Sequence, residues 1–273
     1  MAVRQLRLRY AGVCAVCQHP LEAGTEVDWH TDRKTAVCAA CAADSTAAVH
    51  SGTGGGSARA EAARRRNQQR ARHERTKQAH PVLGRLALAV TPEADAGATW
   101  EKGAVGEERL SHWLDALPGG TTLSLHDRRL PRSKANIDHI VITANGVWVI
   151  DAKHYKGVVE KRDVGGWLRT DRRLFVGGRD RSSLVTGVAA QVEHVRRSLS
   201  DLPGSVPAVR GMLFFVKADW RLFTRPFELQ SVVVAWPRPV RRRLLADGPV
   251  DATQRSEIQR HLAISLPPPS SAP

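Results

Sequence analysis

The stretch Asn136-Ile-Asp-His-Ile-Val-Ile-Thr-Ala-Asn-Gly-Val-Trp-Val-Ile-Asp-Ala-Lys153 decides how the chain is read. Asn145-Gly146 lies between two β-rich runs and is the signal of a hairpin closed by a two-residue type I′ turn. Counting outward from that turn sets Ala144 against Val147, Ile142 against Val149, Ile140 against Asp151 and Asp138 against Lys153. Alternation then puts Asp138, Asp151 and Lys153 on one face with Ile140, Ile142 and Val149. Directly opposed Cβ atoms are about 5 Å apart and diagonal ones about 7 to 8 Å, so both carboxylates and the amine gather at one end of the hairpin. Two carboxylates that close are unfavourable unless a cation neutralises them, and a few oxygen ligands with retained waters are what Mg²⁺ prefers. Lys153 would orient an attacking water or stabilise charge that develops in a phosphoryl transition state. The same spacing also fits a plain Asp138–Lys153 ion pair with Asp151 solvated at a strand end.

Around the hairpin the pattern is that of a layered domain. Leu110, Trp113, Leu114 and Leu117 form the stripe of an amphipathic helix that Pro118-Gly119-Gly120 ends. Strand-like runs follow at Thr122 to His126, Ile137 to Thr143 and Val147 to His154, then a Gly-punctuated pair near Trp167 to Val176. A second helix runs through Leu184, Val188, Val192, Val195 and Leu199; Met212 to Val216 and Val232 to Trp236 are the continuous apolar runs of strands covered on both faces. The expected fold class is α/β, a mixed central sheet flanked by helices, over residues 101–265. Glu107 continues the stripe of Leu110 and Leu114, and Gln191 lies on the stripe of Val188 and Val195, so both point inward. Each also has a structural role open to it: a carboxylate favoured by the start of a helix, and an amide satisfying a strand end.

The 273 residues carry 41 Lys+Arg against 27 Asp+Glu, a formal charge of +14, with 42% hydrophobic and 25% charged residues. Those fractions are ordinary for a globular protein, and the basic surplus favours phosphate-rich partners or anionic surfaces. No stretch approaches the roughly 18 to 20 apolar residues of a membrane span; the longest candidate, Val82 to Val90, is interrupted by Gly84 and Arg85. The start of the chain alternates Arg4, Arg7 and Arg9 with Leu6 and Leu8 and lacks the apolar region of a secretory signal, so a cytoplasmic location is expected.

All four cysteines fall in residues 1–45. Cys14-Ala-Val-Cys17 and Cys38-Ala-Ala-Cys41, twenty residues apart, have the spacing that sets four thiolates around structural Zn²⁺, in a module of zinc-ribbon or treble-clef type. His19 and His30 lie inside the loop as bystanders. A closed four-thiolate site has no open position for substrate. Residues 46–100 read as a linker, with Ser51-Gly-Thr-Gly-Gly-Gly-Ser57 as its flexible part and an Arg-rich segment that includes Arg64, Arg65 and Arg66. That segment is a charged spacer or a phosphate-binding arm. Arg128, Arg129, Arg132, Lys134, Lys156, Lys161 and Arg162 cluster at the strand ends and suit a phosphate-tracking groove. His139 and His154 adjoin the site residues; a strand histidine is more often structural, and His154 could contact phosphate. Residues 266–273 have the composition of a disordered tail.

Asp138 in Ile-Asp-His-Ile-Val-Ile, the Asn-Gly turn and Asp151-x-Lys153 closing a Val-Trp-Val-Ile strand resemble the nuclease-related domain (NERD), a branch of the PD-(D/E)xK restriction-endonuclease-like superfamily. The resemblance runs from about Gly103 to Leu199 and takes in Gly103-x-x-Gly106-Glu107 and Gln191. It implies a mixed sheet flanked by helices and metal-dependent phosphodiester cleavage; the first expectation is a nuclease acting on DNA in preference to RNA. Asp138 and Asp151 would hold Mg²⁺ or Mn²⁺, Lys153 would assist the water, and Glu107 and Gln191 would be supporting residues. Two departures stand out: Asp151 occupies a position where family members often carry Glu, and Arg179-Asp-Arg-Ser-Ser183 replaces an Asn-Pro pair. The rival reading is a non-catalytic nucleic-acid-binding or DNA-processing accessory protein, with protein partners in that processing; a third is a zinc-dependent protein-interaction adaptor. No G-x-x-x-x-G-K-[ST], H-E-x-x-H or G-x-S-x-G is present, which sets aside ATP-driven motors, zincins and serine hydrolases built on those motifs.

Overall fold

A computed structural model describes residues 2–79, 96–118, 120–131, 133, 135–167, 169–204 and 206–269. The cysteine module holds β1 (Val3–Arg7), β2 (Gly12–Val13), β3 (Pro20–Leu21), β4 (Glu26–His30), β5 (Thr35–Cys38) and α1 (Ala39–Ala43). Strands β1, β4 and β5 form one antiparallel sheet and β2 pairs with β3. Val16, Leu21, Val27 and Val37 close a small core around Cys14 and Cys41. Two long helices follow, α2 (Gly56–Ala79) and α3 (Ala96–Asp115). The apolar run Val82 to Val90 lies outside the described residues.

Strands β6 (Thr122–Arg129), β7 (Asn136–Thr143) and β8 (Gly146–Lys153) form the expected meander. Next come β9 (Val159–Asp163), β10 (Arg172–Val176) and β11 (Arg179–Asp180), a separate three-stranded sheet in which Trp167 sits in the β9–β10 loop and not in a strand. Then α4 (Ser182–Leu199), β12 (Val209–Phe215), β13 (Phe227–Leu229), β14 (Val232–Ala235), α5 (Pro237–Leu244) and α6 (Ala252–Ser265) complete the chain. The main sheet has the order β13-β14-β12-β8-β7-β6 and is mixed: β12 runs parallel to β8 and β14, and the other pairs are antiparallel.

Helices cover both faces of this sheet, which is why β12 and β14 are continuously apolar. On one face Val185, Val188, Val192, Val195 and Leu199 of α4 and Ile258 and Leu262 of α6 pack on Ile140, Ile142, Val147 and Val149. On the other, Leu110 and Leu114 of α3 and Val240 and Leu244 of α5 pack on Val141, Trp148, Ile150 and Met212. The tail begins later than its composition suggests: Leu266 is fully buried, and Arg129 N–H donates to the Pro267 carbonyl at 2.9 Å.

The hairpin register differs from the count made on Asn145-Gly146. Thr143 pairs with Gly146, Ile142 with Val147 and Ile140 with Val149, so the loop residues are Ala144 and Asn145. Neither has the positive φ that a type I′ turn requires. Asn145 is engaged in tertiary contacts instead. Its Nδ2 donates to the carbonyls of Arg243 (2.7 Å) and Ala246 (3.1 Å), and its Oδ1 accepts from Trp148 Nε1 (2.9 Å). Gly146, at φ 126°, serves close approach: a Cβ there would lie 2.4 Å from the Ala208 carbonyl oxygen. The slip is two residues, so every side chain keeps its face. Continued by one pair, the observed register sets Asp138 opposite Asp151, and not opposite Lys153 as the turn count gave.

Candidate active site

Asp151 and Lys153 end β8, Asp138 lies near the start of β7, and the β8 and β12 ends run side by side, with Phe215 paired to Lys153. Lys153 Nζ stands 2.5 Å from Asp151 Oδ1. Asp138 and Asp151 are close enough to share a hydrogen bond; burial, then Asp151 and Glu107, push the Asp138 carboxyl well above the usual carboxylate range. Burial by itself would lower the Lys153 ammonium, but Asp151 and Asp138 more than offset it and hold it above its ordinary value.

Glu107 reaches the same end of the sheet from α3. The approach is possible because residue 106 is glycine: a Cβ there would lie 1.7 Å from His154 Nε2, one residue beyond Lys153. Burial raises the Glu107 carboxyl to about 7; Lys153 and Arg59 pull it down, and Asp127 and Asp151 add to the rise. From α4, Gln191 Nε2 donates to the Asn136 carbonyl at 3.4 Å, while its Oε1 is buried with no donor among the described residues. The five residues expected at the site thus meet at one sheet end.

The structure adds Asp127, which neither motif nor periodicity singles out. It lies at a break in the β6–β7 ladder, between His126, which pairs with His139, and Arg128, which pairs with Ile137. Its backbone has φ 49°. Its carboxylate accepts from Ser57 N (2.7 Å), Ser57 Oγ (2.6 Å) and Asn136 Nδ2 (2.9 Å), so it caps the start of α2 from a distant strand.

The Gly/Ser run, expected as a flexible spacer, lies packed against the α/β domain. His126 N–H donates to the Ser51 carbonyl at 2.7 Å, and a Cβ at Gly54 would lie 2.7 Å from the Glu107 carbonyl oxygen. Arg128, expected to contact phosphate, is fully buried under this strap. Its Nη2 donates to the carbonyls of His50 (2.9 Å) and Ser51 (3.0 Å), and burial pulls its guanidinium down to about 10. Arg129 and Lys156 are exposed, as are Arg64 and Arg65, which pair with Glu61 on α2; Arg66 is half-buried. Arg132 and Lys134 lie outside the described residues. His139 is structural: its Nδ1 is 2.9 Å from His126 Nδ1, whose Nε2 is 3.0 Å from Asp115 Oδ1.

The four cysteine sulfurs lie within 4.8 Å of one another and form no disulfide. Cys17 and Cys38 Sγ are 3.9 Å apart, against about 3.8 Å for two ligands of a tetrahedral Zn–S site with bonds of about 2.3 Å. Cys38 N–H donates to Cys14 Sγ at 3.4 Å, the kind of backbone bond that stabilises a thiolate. This is the one cluster of three or more metal-type ligands drawn that tightly among the described residues.

Residues 102–216 match the family model of the nuclease-related domain, NERD. No curated protein and no solved structure matches the chain. The NERD match contains Glu107, Asp138, Asp151, Lys153 and Gln191, and leaves outside it the cysteine module, α2 and everything after β12. No helix among the described residues is long and apolar enough to cross a membrane.

Glu107 makes the site's electrostatics measurable. An unfolded Glu loses its proton near 4.5, whereas the folded chain keeps it to about 7. The stability this proton confers is complete below about pH 4.5 and is lost as pH rises past about 7. Without divalent cation, the melting temperature of Glu107→Gln should fall less than that of the natural protein between about pH 5 and pH 8; parallel curves would contradict the assignment.

Proposed function

We propose that the chain is a divalent-metal-dependent nuclease that hydrolyses phosphodiester bonds, in DNA in preference to RNA, on a restriction-endonuclease-like core. The observation that carries this reading is the opposition of Asp138 and Asp151 beside Lys153 at a sheet end that Glu107 and Gln191 also reach. The donor set fits Mg²⁺ or Mn²⁺ by type: two carboxylates supply hard oxygen ligands, and such ions complete their coordination with water. Asp138 and Asp151 would hold the ion, which when bound supplies Lewis-acid polarisation of the phosphate and of a water.

The chain's own groups take distinct parts. Lys153, beside Asp151, donates hydrogen bonds to oxygen and offsets charge that builds up at phosphorus. Glu107, which reaches the same sheet end from α3, is placed to accept a proton from water. Gln191 ties α4 to Asn136 and leaves its buried Oε1 as an acceptor for a bound group.

For the cysteine module, the sulfur geometry supports structural Zn²⁺. The order of knuckle (β2–β3), hairpin (β4–β5) and α1, with Cys41 in that helix, favours the treble-clef-like alternative. The free thiols and soft ligand set suit a reducing, cytoplasmic setting.

Two measurements test these readings. Labelled single- and double-stranded DNA and RNA of one sequence, incubated with Mg²⁺ or Mn²⁺ at low salt, should be cut by the natural chain and at least about a hundredfold more slowly by Asp151→Asn, with binding unchanged. Salt-sensitive binding with no cleavage by either protein would replace the nuclease by the accessory reading. Metal analysis of the purified chain should find one zinc per chain, reduced in Cys17→Ser; a zinc-free natural chain with an unchanged melting temperature would refute the zinc assignment.

A further inference from the structure

Between β12 and β13 the chain extends a loop that contains Ala218-Asp-Trp-Arg-Leu-Phe-Thr-Arg-Pro226. Its root is fixed to the strand end that carries the carboxylates. Val216 N–H donates to the Lys153 carbonyl (3.1 Å), Asp219 N–H to the Gly157 carbonyl (3.1 Å), and Val159 N–H to the Asp219 carbonyl (2.9 Å). Trp220 turns inward onto Phe215, Phe227 and Trp236, with ring centroids 6.2, 6.5 and 4.6 Å away, and gives the loop a rigid base. The tip turns tightly, Thr224 N–H donating to the Arg221 carbonyl at 3.0 Å, and Arg221 is braced on Glu160 at 3.2 Å.

At this tip Leu222 is 89% exposed and Phe223 98%, and Phe223 has φ 64°. A phenylalanine in the left-handed region is strained, so a tied turn holds the ring outward, not slack in the chain. Single exposed apolar residues need no explanation. Adjoining Leu and Phe, bracketed by Arg221 and Arg225 on a braced turn beside a site for phosphodiesters, do.

We infer that Leu222 and Phe223 form a finger that stacks on the bases of an unpaired nucleic-acid strand while Lys217, exposed just ahead of the loop, and the exposed Arg225 follow its phosphates. Cations on either side of the ring match a polyanion. An exposed ring offers a face to any base that is not already stacked in a duplex. The inference rests on the nuclease reading and narrows it: the substrate is single-stranded or frayed nucleic acid, led past the finger to the carboxylates.

The test is fluorescence anisotropy on the full, zinc-loaded chain, with Ca²⁺ in place of Mg²⁺. The probes are labelled oligo(dT) of about 20 nucleotides, longer than the about 4 to 16 nucleotides of a typical single-strand site, and a duplex of the same length. Phe223→Asn, which keeps a residue tolerant of the left-handed backbone, should bind oligo(dT) about tenfold more weakly and the duplex unchanged; Phe223→Trp should restore binding. Equal oligo(dT) binding by the natural chain and Phe223→Asn, equal loss on both probes, or no rescue by Trp would overturn the finger. Phe223-dependent binding to phosphatidylserine vesicles, with oligo(dT) indifferent, would overturn it in favour of a membrane contact. No binding of either oligonucleotide by the natural chain overturns the nuclease reading as well, whereas Phe223-independent binding with intact Mg²⁺-dependent cleavage overturns the finger alone.

Discussion

Asp138 and Asp151 face each other across neighbouring strands, where the apolar face that packs on α4 gives way to carboxylates. At cross-strand distance, with Asp151 buried and Asp138 half-buried, two carboxylates are costly to keep ionised together without a cation nearby. Lys153 supplies one positive charge at 2.5 Å from Asp151, and raised proton affinities at Asp138 and Glu107 absorb the rest. Such an arrangement costs folding free energy and returns none as a core. A bound divalent cation would relieve the repulsion, and this is the physical ground for reading the sheet end as a site.

The surrounding structure follows from bringing those groups together. Helix α3 crosses the end of β8 at Gly106, the point at which any side chain would strike His154. Helix α2 starts beside it because Asp127 caps Ser57, and the strap from His50 to Ser57 is pinned by Arg128 and the His126 amide. The strap begins at the cysteine module, where His50 N–H donates to the Val16 carbonyl at 2.8 Å. That module is itself docked on the α/β domain through Arg33–Asp201 at 2.6 Å and a hydrogen bond from Arg260 to the Cys41 carbonyl. A metal held by the four cysteines would therefore also steady the segment lying against Glu107 and Asp127.

Much of this is readable in the sequence because face depends on parity alone. A slip of two residues leaves Asp138, Asp151 and Lys153 on one face, so their convergence is legible even though the turn is not. The register is misread because Asn-Gly counts as a turn signal, whereas Gly146 serves close packing on Ala208. Glu107 and Gln191 are found by helical period. Asp127 is not, since the connection between β6 and β7 follows no counting rule. Composition misleads twice: glycines taken for freedom are used for contact, as at Gly54, and Arg128, counted toward a basic surface, is buried under the strap.

The opposed carboxylates of Asp138 and Asp151 would together form one divalent-cation site. Titration of Mn²⁺ into the zinc-loaded chain, followed by electron paramagnetic resonance, tests it without substrate. One Mn²⁺ should bind per natural chain and be lost in Asp138→Asn. Absence of bound Mn²⁺ in the natural chain, or undiminished binding in that variant, would contradict it.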